Sequence, residues 1–269
     1  MQFPIHLQSP SDGLRRNRDD TICSIRSRYV PRKCFIHIDD LNKIPVYVAC
    51  PEYCFLNAAT HLSFPELIQF GYSLCAKYVP DPDADYGQRA RVPLTNVSNI
   101  TRFLSFCDHA HGDRNARRAV KHILDNSNSP METKLAMAAV LPFLQGGFAL
   151  KHLEMNRYVA LTPQGRALLG IDSCCCDMVW DQEKIILEYD SNLTHLEARQ
   201  HAMDKKRASA LSMAGCKVIS ITADVLHNFT AFEKTFLSLR WTLGMRTDQH
   251  RFASCRRQRY DLYQFLLRH

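Results

Sequence analysis

The segment KIILEYDS carries two carboxylates two residues apart, Glu188 and Asp190, at the end of the apolar run Ile185, Ile186 and Leu187. Side chains alternate along a strand, so Glu188 and Asp190 share one face and Tyr189 takes the other. A second run, CDMVW, lies just upstream, and the short turn DQE joins the two into an antiparallel hairpin. Asp177 opens that partner strand, and a tight turn brings it alongside the end that carries Glu188 and Asp190. Three carboxylates at the edge of an apolar sheet repel one another unless a cation neutralises them. Oxygen donors of this kind suit a hard divalent ion, Mg2+ or Mn2+. His195 follows the strand and, with an ordinary pKa near neutrality, can orient a water or take its proton. Lys205, Lys206 and Arg207 come next in DKKRASAL and can offset negative charge on a phosphate. Together these residue types support metal-assisted phosphodiester hydrolysis. Each also has a plainer use. Two acids at this spacing form an ordinary solvent face, His195 serves as a polar junction residue, and the lysines pair with Glu197 or Asp204. The order tips the balance: apolar strand, acidic end, histidine, basic helix, second buried strand.

The elements that must position these groups are legible around them. SNSPMETKLAMAAVL predicts a helix with Ser129 as N-cap, Pro130 at the first helical position and Glu132 three residues on, a capping box. GFALKHLEMNRYVAL predicts extended segments, and TPQGRALLGID a turn or excursion. A helix is expected from about Thr194 to Ala214, stopped by Gly215, then the buried strand CKVISIT and one amphipathic helix over ADVLHNFTAFEKTFLSLRWTL. Upstream, CFIHIDD and IPVYVAC read as short strands, and PEYCFLNAATHL and SFPELIQFGYSLCAKY as helices. VPDPDADYGQRARVP reads as an exposed loop, NVSNITRFLSFCDHA as a helix and DRNARRAVKHILDNS as a basic amphipathic one. This order is that of an α/β chain with a mixed central sheet flanked by helices.

The chain has 269 residues, 46% hydrophobic and 23% charged, which excludes a disordered polymer. Its formal net charge of +7 leans toward polyanionic partners. The first residues hold no sustained apolar stretch of the kind that targets secretion. The most apolar run, LAMAAVLPFLQGGFAL, is interrupted by Pro142, Gln145, Gly146 and Gly147 and is too short for a bilayer. A cytoplasmic protein with no membrane partner is expected. Eleven cysteines are many, yet the chain is not a short secreted scaffold, and no paired C-x-x-C units are present. Cys50 and Cys54 fall on one face of an expected helix, and Cys174, Cys175 and Cys176 alternate along a strand, so both groups read as packing.

From about Gly112 to Gly244 the sequence resembles the uncharacterised endonuclease-domain proteins related to very-short-patch-repair endonucleases, within the PD-(D/E)XK superfamily. The matching pieces are GDRNARRAVKHIL, SPMETKL, DMVW, KIILEYDSNLTH, DKKRASALSMAGC and KVISIT with ADVLHNF. The family's S-P-x-E falls on Ser129, Pro130 and Glu132, its hairpin Asp on Asp177, and its E-x-D and histidine on Glu188, Asp190 and His195. Its D-x-x-R helix and closing glycine fall on Asp204, Arg207 and Gly215. Ser191 stands where the family has Gly, and the gap to His195 is one residue longer. Residues before Gly112 are more faintly similar to the region preceding this domain in proteins grouped near abortive-infection type IV antitoxins, through VYVACPEYCFLNAAT.

The resemblance implies a restriction-endonuclease-like domain over 112–245, preceded by a mostly helical region with short strands over 1–111 and followed by a basic tail over 246–269. It implies a Mg2+- or Mn2+-dependent deoxyribonuclease of bacterial defence or mobile-element biology. Asp177, Glu188 and Asp190 would be metal ligands, and His195, Lys205 and Arg207 catalytic partners. Glu132 would be in support, and Arg114, Arg117, Arg118 and Lys206 would contact DNA. The alternative is a non-catalytic DNA-binding or antitoxin-like regulator that keeps the fold.

Overall fold

The elements follow in the computed structural model, which describes residues 5–9, 21–25, 34–41, 44–84, 87–190, 198–246 and 248–268. Strands β1 (Ile5–Ser9) and β2 (Thr21–Ile25) pair in parallel, and β3 (Phe35–Leu41) and β4 (Ile44–Ala49) pair antiparallel. Helices α1 (Pro51–Ala58) and α2 (Phe64–Cys75) each begin with a proline in the first turn. Cys50 is the N-cap of α1 and not part of its face, because Pro51 takes the first helical position. The segment expected as a loop forms a small antiparallel hairpin, β5 (Tyr78–Pro80) with β6 (Gln88–Ala90). Its Pro and Asp density marks the turn, not the flanks.

Next come α3 (Val97–Ser105) and α4 (Asp113–Ala119). The basic helix is shorter than expected: it tightens to a 3-10 turn over Val120–His122 where Val120 and Ile123 enter the core. Helix α5 (Pro130–Val140) begins at Ser129 as expected.

Strands β7 (Glu154–Ala160), β8 (Ser173–Trp180), β9 (Ile185–Asp190) and β10 (Lys217–Thr222) form one mixed sheet in the order β10-β9-β8-β7. The β7–β8 and β8–β9 pairs are antiparallel, and β9–β10 is parallel. The expected hairpin is present, with Met178 opposite Leu187 and Trp180 opposite Ile185. The segment expected as an excursion between β7 and β8 is helix α6 (Pro163–Leu169), capped by the Thr162 hydroxyl and closed by Gly170 at φ +74. Helix α7 (Ala198–Met213) supplies the crossover that a parallel pair requires and ends at Gly215, φ +80. The long final helix is split into α8 (Ala223–His227) and α9 (Phe229–Thr242). The split falls at Asn228, whose side chain accepts from Ala231 N at 3.0 Å and starts a second helix. The residues expected as a basic tail are two helices, α10 (Gln249–Ser254) and α11 (Arg256–Arg268). Among the described residues no helix is long and apolar enough to cross a membrane.

One face of the sheet covers a large core that reaches from Cys34 to Leu266 and includes Phe148, Met178, Trp180, Leu187 and Phe236. The other face, under α6 and α7, covers a smaller one made by Leu161, Cys174, Cys176, Val179, Ile186, Ala210 and Leu211. Each fully buried Leu, Ile or Phe contributes roughly 1.5–3 kcal/mol. Alternation along β9 is regular: Ile185 and Leu187 enter the large core and Ile186 the small one. On β8 it reverses. Met178 and Trp180 enter the large core, whereas Cys174 and Cys176, of the same parity, enter the small one. On β7, Met155 belongs to the large core and Val159 packs on the small one. The two reversals face each other at Asn156 and Asp177, which are missing from an otherwise continuous ladder, and Asn156 adopts φ +50. Asparagine tolerates that conformation better than other side chains that carry a Cβ.

Candidate active site

The break in the sheet gathers the polar groups. At the start of α5 the Ser129 hydroxyl accepts from Glu132 N at 3.1 Å, as the capping reading requires. The reciprocal bond is displaced by one residue. The Glu132 carboxylate accepts from Asn128 N at 2.9 Å instead of from the N-cap amide. It also accepts from the side-chain amide of Asn156. Glu132 is 7% exposed, and burial pushes its carboxyl above the usual range, against the hydrogen bonds and with help from the nearby charge of Asp177.

Asp177 accepts from Tyr189 N through Oδ2 at 3.0 Å, where the β8–β9 ladder has ended. Its carboxyl is held up by burial, while the Tyr189 N–H and Arg207 oppose the rise. Glu188 lies at the same end of the hairpin, with its Oε1 2.6 Å from Nη2 of Arg207. Burial raises its carboxyl, Arg207 opposes this, and Asp177 adds to it. The same Nη2 donates to Cys175 O at 2.5 Å and lies 3.8 Å from Cys176 Sγ, while Arg207 Nε is buried without a partner. The guanidinium therefore sits as a cation among half-buried acids.

Asp190 ends β9 beside Thr222 of β10, half-buried and on the α7 side by strand alternation. Lys205 and Lys206 are exposed on α7 next to Arg207. Among the described residues no three His, Cys, Asp or Glu side chains are placed to hold one metal ion. Asp177, Glu188 and Asp190 are thus neighbours at one end of the sheet and not a closed cage. The cause is visible in their bonds, because Asp177 is spent on a backbone amide and Glu188 on Arg207. His195 and Ser191 lie outside the described residues. Arg114 and Arg118 are exposed on α4, with Arg118 over the Phe64 ring at 5.1 Å. Arg117 is paired to Asp108 at 2.6 Å and to Asp113 at 3.7 Å.

Neither protein-family models, nor curated proteins, nor solved structures give a match to this chain.

One member of the cluster escaped the sequence reading. Asn156 is neutral and sits in a strand, where nothing in the acidic and basic pattern points to it. Asparagine in the middle of EMNRYVA is nevertheless out of keeping with strand composition, and that is the signal that marks it.

Proposed function

We propose that the chain hydrolyses phosphodiester bonds in DNA with the help of a divalent metal, Mg2+ or Mn2+, on a restriction-endonuclease-like core. The observation that carries this reading is the meeting of Asp177 and Glu188 where β8 and β9 part, with Glu132 in electrostatic reach of Asp177 and one guanidinium bonded to Glu188. The order of elements supports it too: a helix bearing an acid, an antiparallel three-strand unit, a crossover helix and a parallel fourth strand.

The donor set fits such an ion. Mg2+ keeps several waters and is typically held by one or two carboxylates together with substrate phosphates, so two acids suffice without a protein cage. Asp177 and Glu188 would be the ligands, and Asp190 is on hand from the end of β9. Bound there, the metal would acidify a water and neutralise charge on the phosphate. Arg207 holds Glu188 in place and opposes the rise that burial imposes on its carboxyl, Glu132 adds acceptor oxygens beside Asp177, and exposed Lys205 and Lys206 meet the DNA backbone. The net charge of +7 favours the same partner.

One observation favours a second reading, a DNA-binding or antitoxin-like regulator without chemistry: Glu188 is already satisfied by Arg207. The two part on one test. The nuclease loses cleavage on Asp177→Ala while keeping its fold. The regulator binds DNA, weakening steeply with salt, and is indifferent to that change.

A further inference from the structure

Asn156 stands where the sheet's alternation reverses, and its amide is fully committed. Nδ2 donates to the Glu132 carboxylate and to Asn126 O at 2.8 Å, and Oδ1 accepts from Asn128 Nδ2 at 2.6 Å. Cys175 Sγ lies 3.9 Å from the same Oδ1. A flipped amide would set its oxygen against two acceptors and its nitrogen against a donor, so the network defines one orientation. On the backbone, Asn156 pays for a left-handed conformation inside a strand, φ +50, opposite Asp177. Two of its bonds tie β7 to the segment before α5, and the third goes to the Glu132 carboxylate. From the strand next to Asp177, the side chain turns a neutral donor toward the buried acid of α5.

We propose that Asn156 is a positioning residue of the candidate active site, holding the Glu132 carboxylate in place beside Asp177 so that both acids serve the attacking water. This rests on the metal-dependent hydrolysis reading. A neutral donor suits the task better than a cation. It stabilises the ionised carboxylate without cancelling the negative potential that a metal needs. The titratable groups around Glu132 are Asp177 and Cys175 on β8 and Tyr78 on β5. Burial and the Glu132 charge hold the Cys175 thiol and the Tyr78 hydroxyl protonated, and that charge is repelled by Asp177, so the ionised Glu132 depends on its neutral donors.

Two variants test it. Asn156→Gly leaves the left-handed backbone free of strain and removes the amide. Asn156→Asp keeps size and backbone tolerance but faces Glu132 with an acceptor. Two readouts are taken, a carboxyl NMR titration of Glu132 in metal-free protein and the pH profile of Mg2+-dependent DNA cleavage. The expected result is an upward move of the Glu132 titration in both variants. With it come a matching move of the acidic limb of cleavage to higher pH and a fall in kcat/KM of about 10- to 100-fold, at unchanged DNA affinity. An unmoved Glu132 titration in folded Asn156→Gly overturns the proposal. So does an active parent whose variants keep the parent's rate and pH limb. If the parent cleaves nothing, the hydrolase reading falls by itself, and the Glu132 titration still decides whether Asn156 holds that acid.

Discussion

Burial leaves three acids of the site, Glu132, Asp177 and Glu188, above the usual carboxylate range, with one guanidinium to balance them. The sign of the stability effect follows. A carboxyl whose folded pKa exceeds its unfolded value, about 4, contributes stability that is complete below that value and is lost as pH rises through the folded one. The stability contributed by these three acids in the metal-free protein is therefore expected to decline as pH rises above about 4, part of that loss coming from Asp177. Thermal melts of the parent and of Asp177→Asn across this range check it. The variant is expected to show the shallower slope, and equal slopes contradict the assignment. Added Mg2+ at neutral pH is expected to raise the melting temperature of the parent more than that of the variant. At this scale the types and spacing of the acids and of Arg207 were readable from the sequence. Glu132, Asp177, Glu188 and Arg207 are linked by hydrogen bonds or charge at one end of the sheet, although an acid at a strand end or in a capping box also has an ordinary structural use. The link between Glu188 and Arg207 was not readable, since it depends on how α7 lies over β9.

Among the elements, the strands and the α5 start matched their patterns because the periods are short and the caps local. The departures have local causes. Thr162, Pro163 and Gly170 make a helix of a segment read as a turn, and Asn228 cuts one helix in two. The largest departure is at the C-terminus. A run rich in arginine reads as a solvated tail, yet Phe252, Leu262, Tyr263 and Leu266 are buried and Arg259 is 2% exposed. Arg259 donates to Glu233 at 2.8 Å and to Phe252 O at 2.6 Å and stacks on the Phe252 ring. Arginine count hid an i, i+3, i+4 stripe. Arg259→Ala leaves Glu233 with the more exposed Arg256, at 3.4 Å, and orphans the buried Phe252 carbonyl, and a loss of about 2 kcal/mol in urea unfolding is expected. A tail residue would cost less than about 0.5 kcal/mol.

Across the whole molecule, the mixed α/β sheet was foreseeable from the alternation of strand and helix patterns, whereas the shared core was not. Residues from Cys34 to Leu266 enter it, so the helices before and after the sheet are parts of one packing unit. Long-range packing of this kind leaves no local period in the sequence. Lys205 and Lys206 are exposed on α7, on the side of the sheet where Glu188 and Asp190 point. The most direct measurement is cleavage of supercoiled, linear and single-stranded DNA by the purified chain with Mg2+ or Mn2+, beside Asp177→Ala with its fold verified by circular dichroism. Metal-dependent strand scission by the parent, reduced at least about 100-fold in the variant, is predicted. Scission that survives in folded Asp177→Ala, or a parent that cuts none of these substrates with either metal, contradicts it.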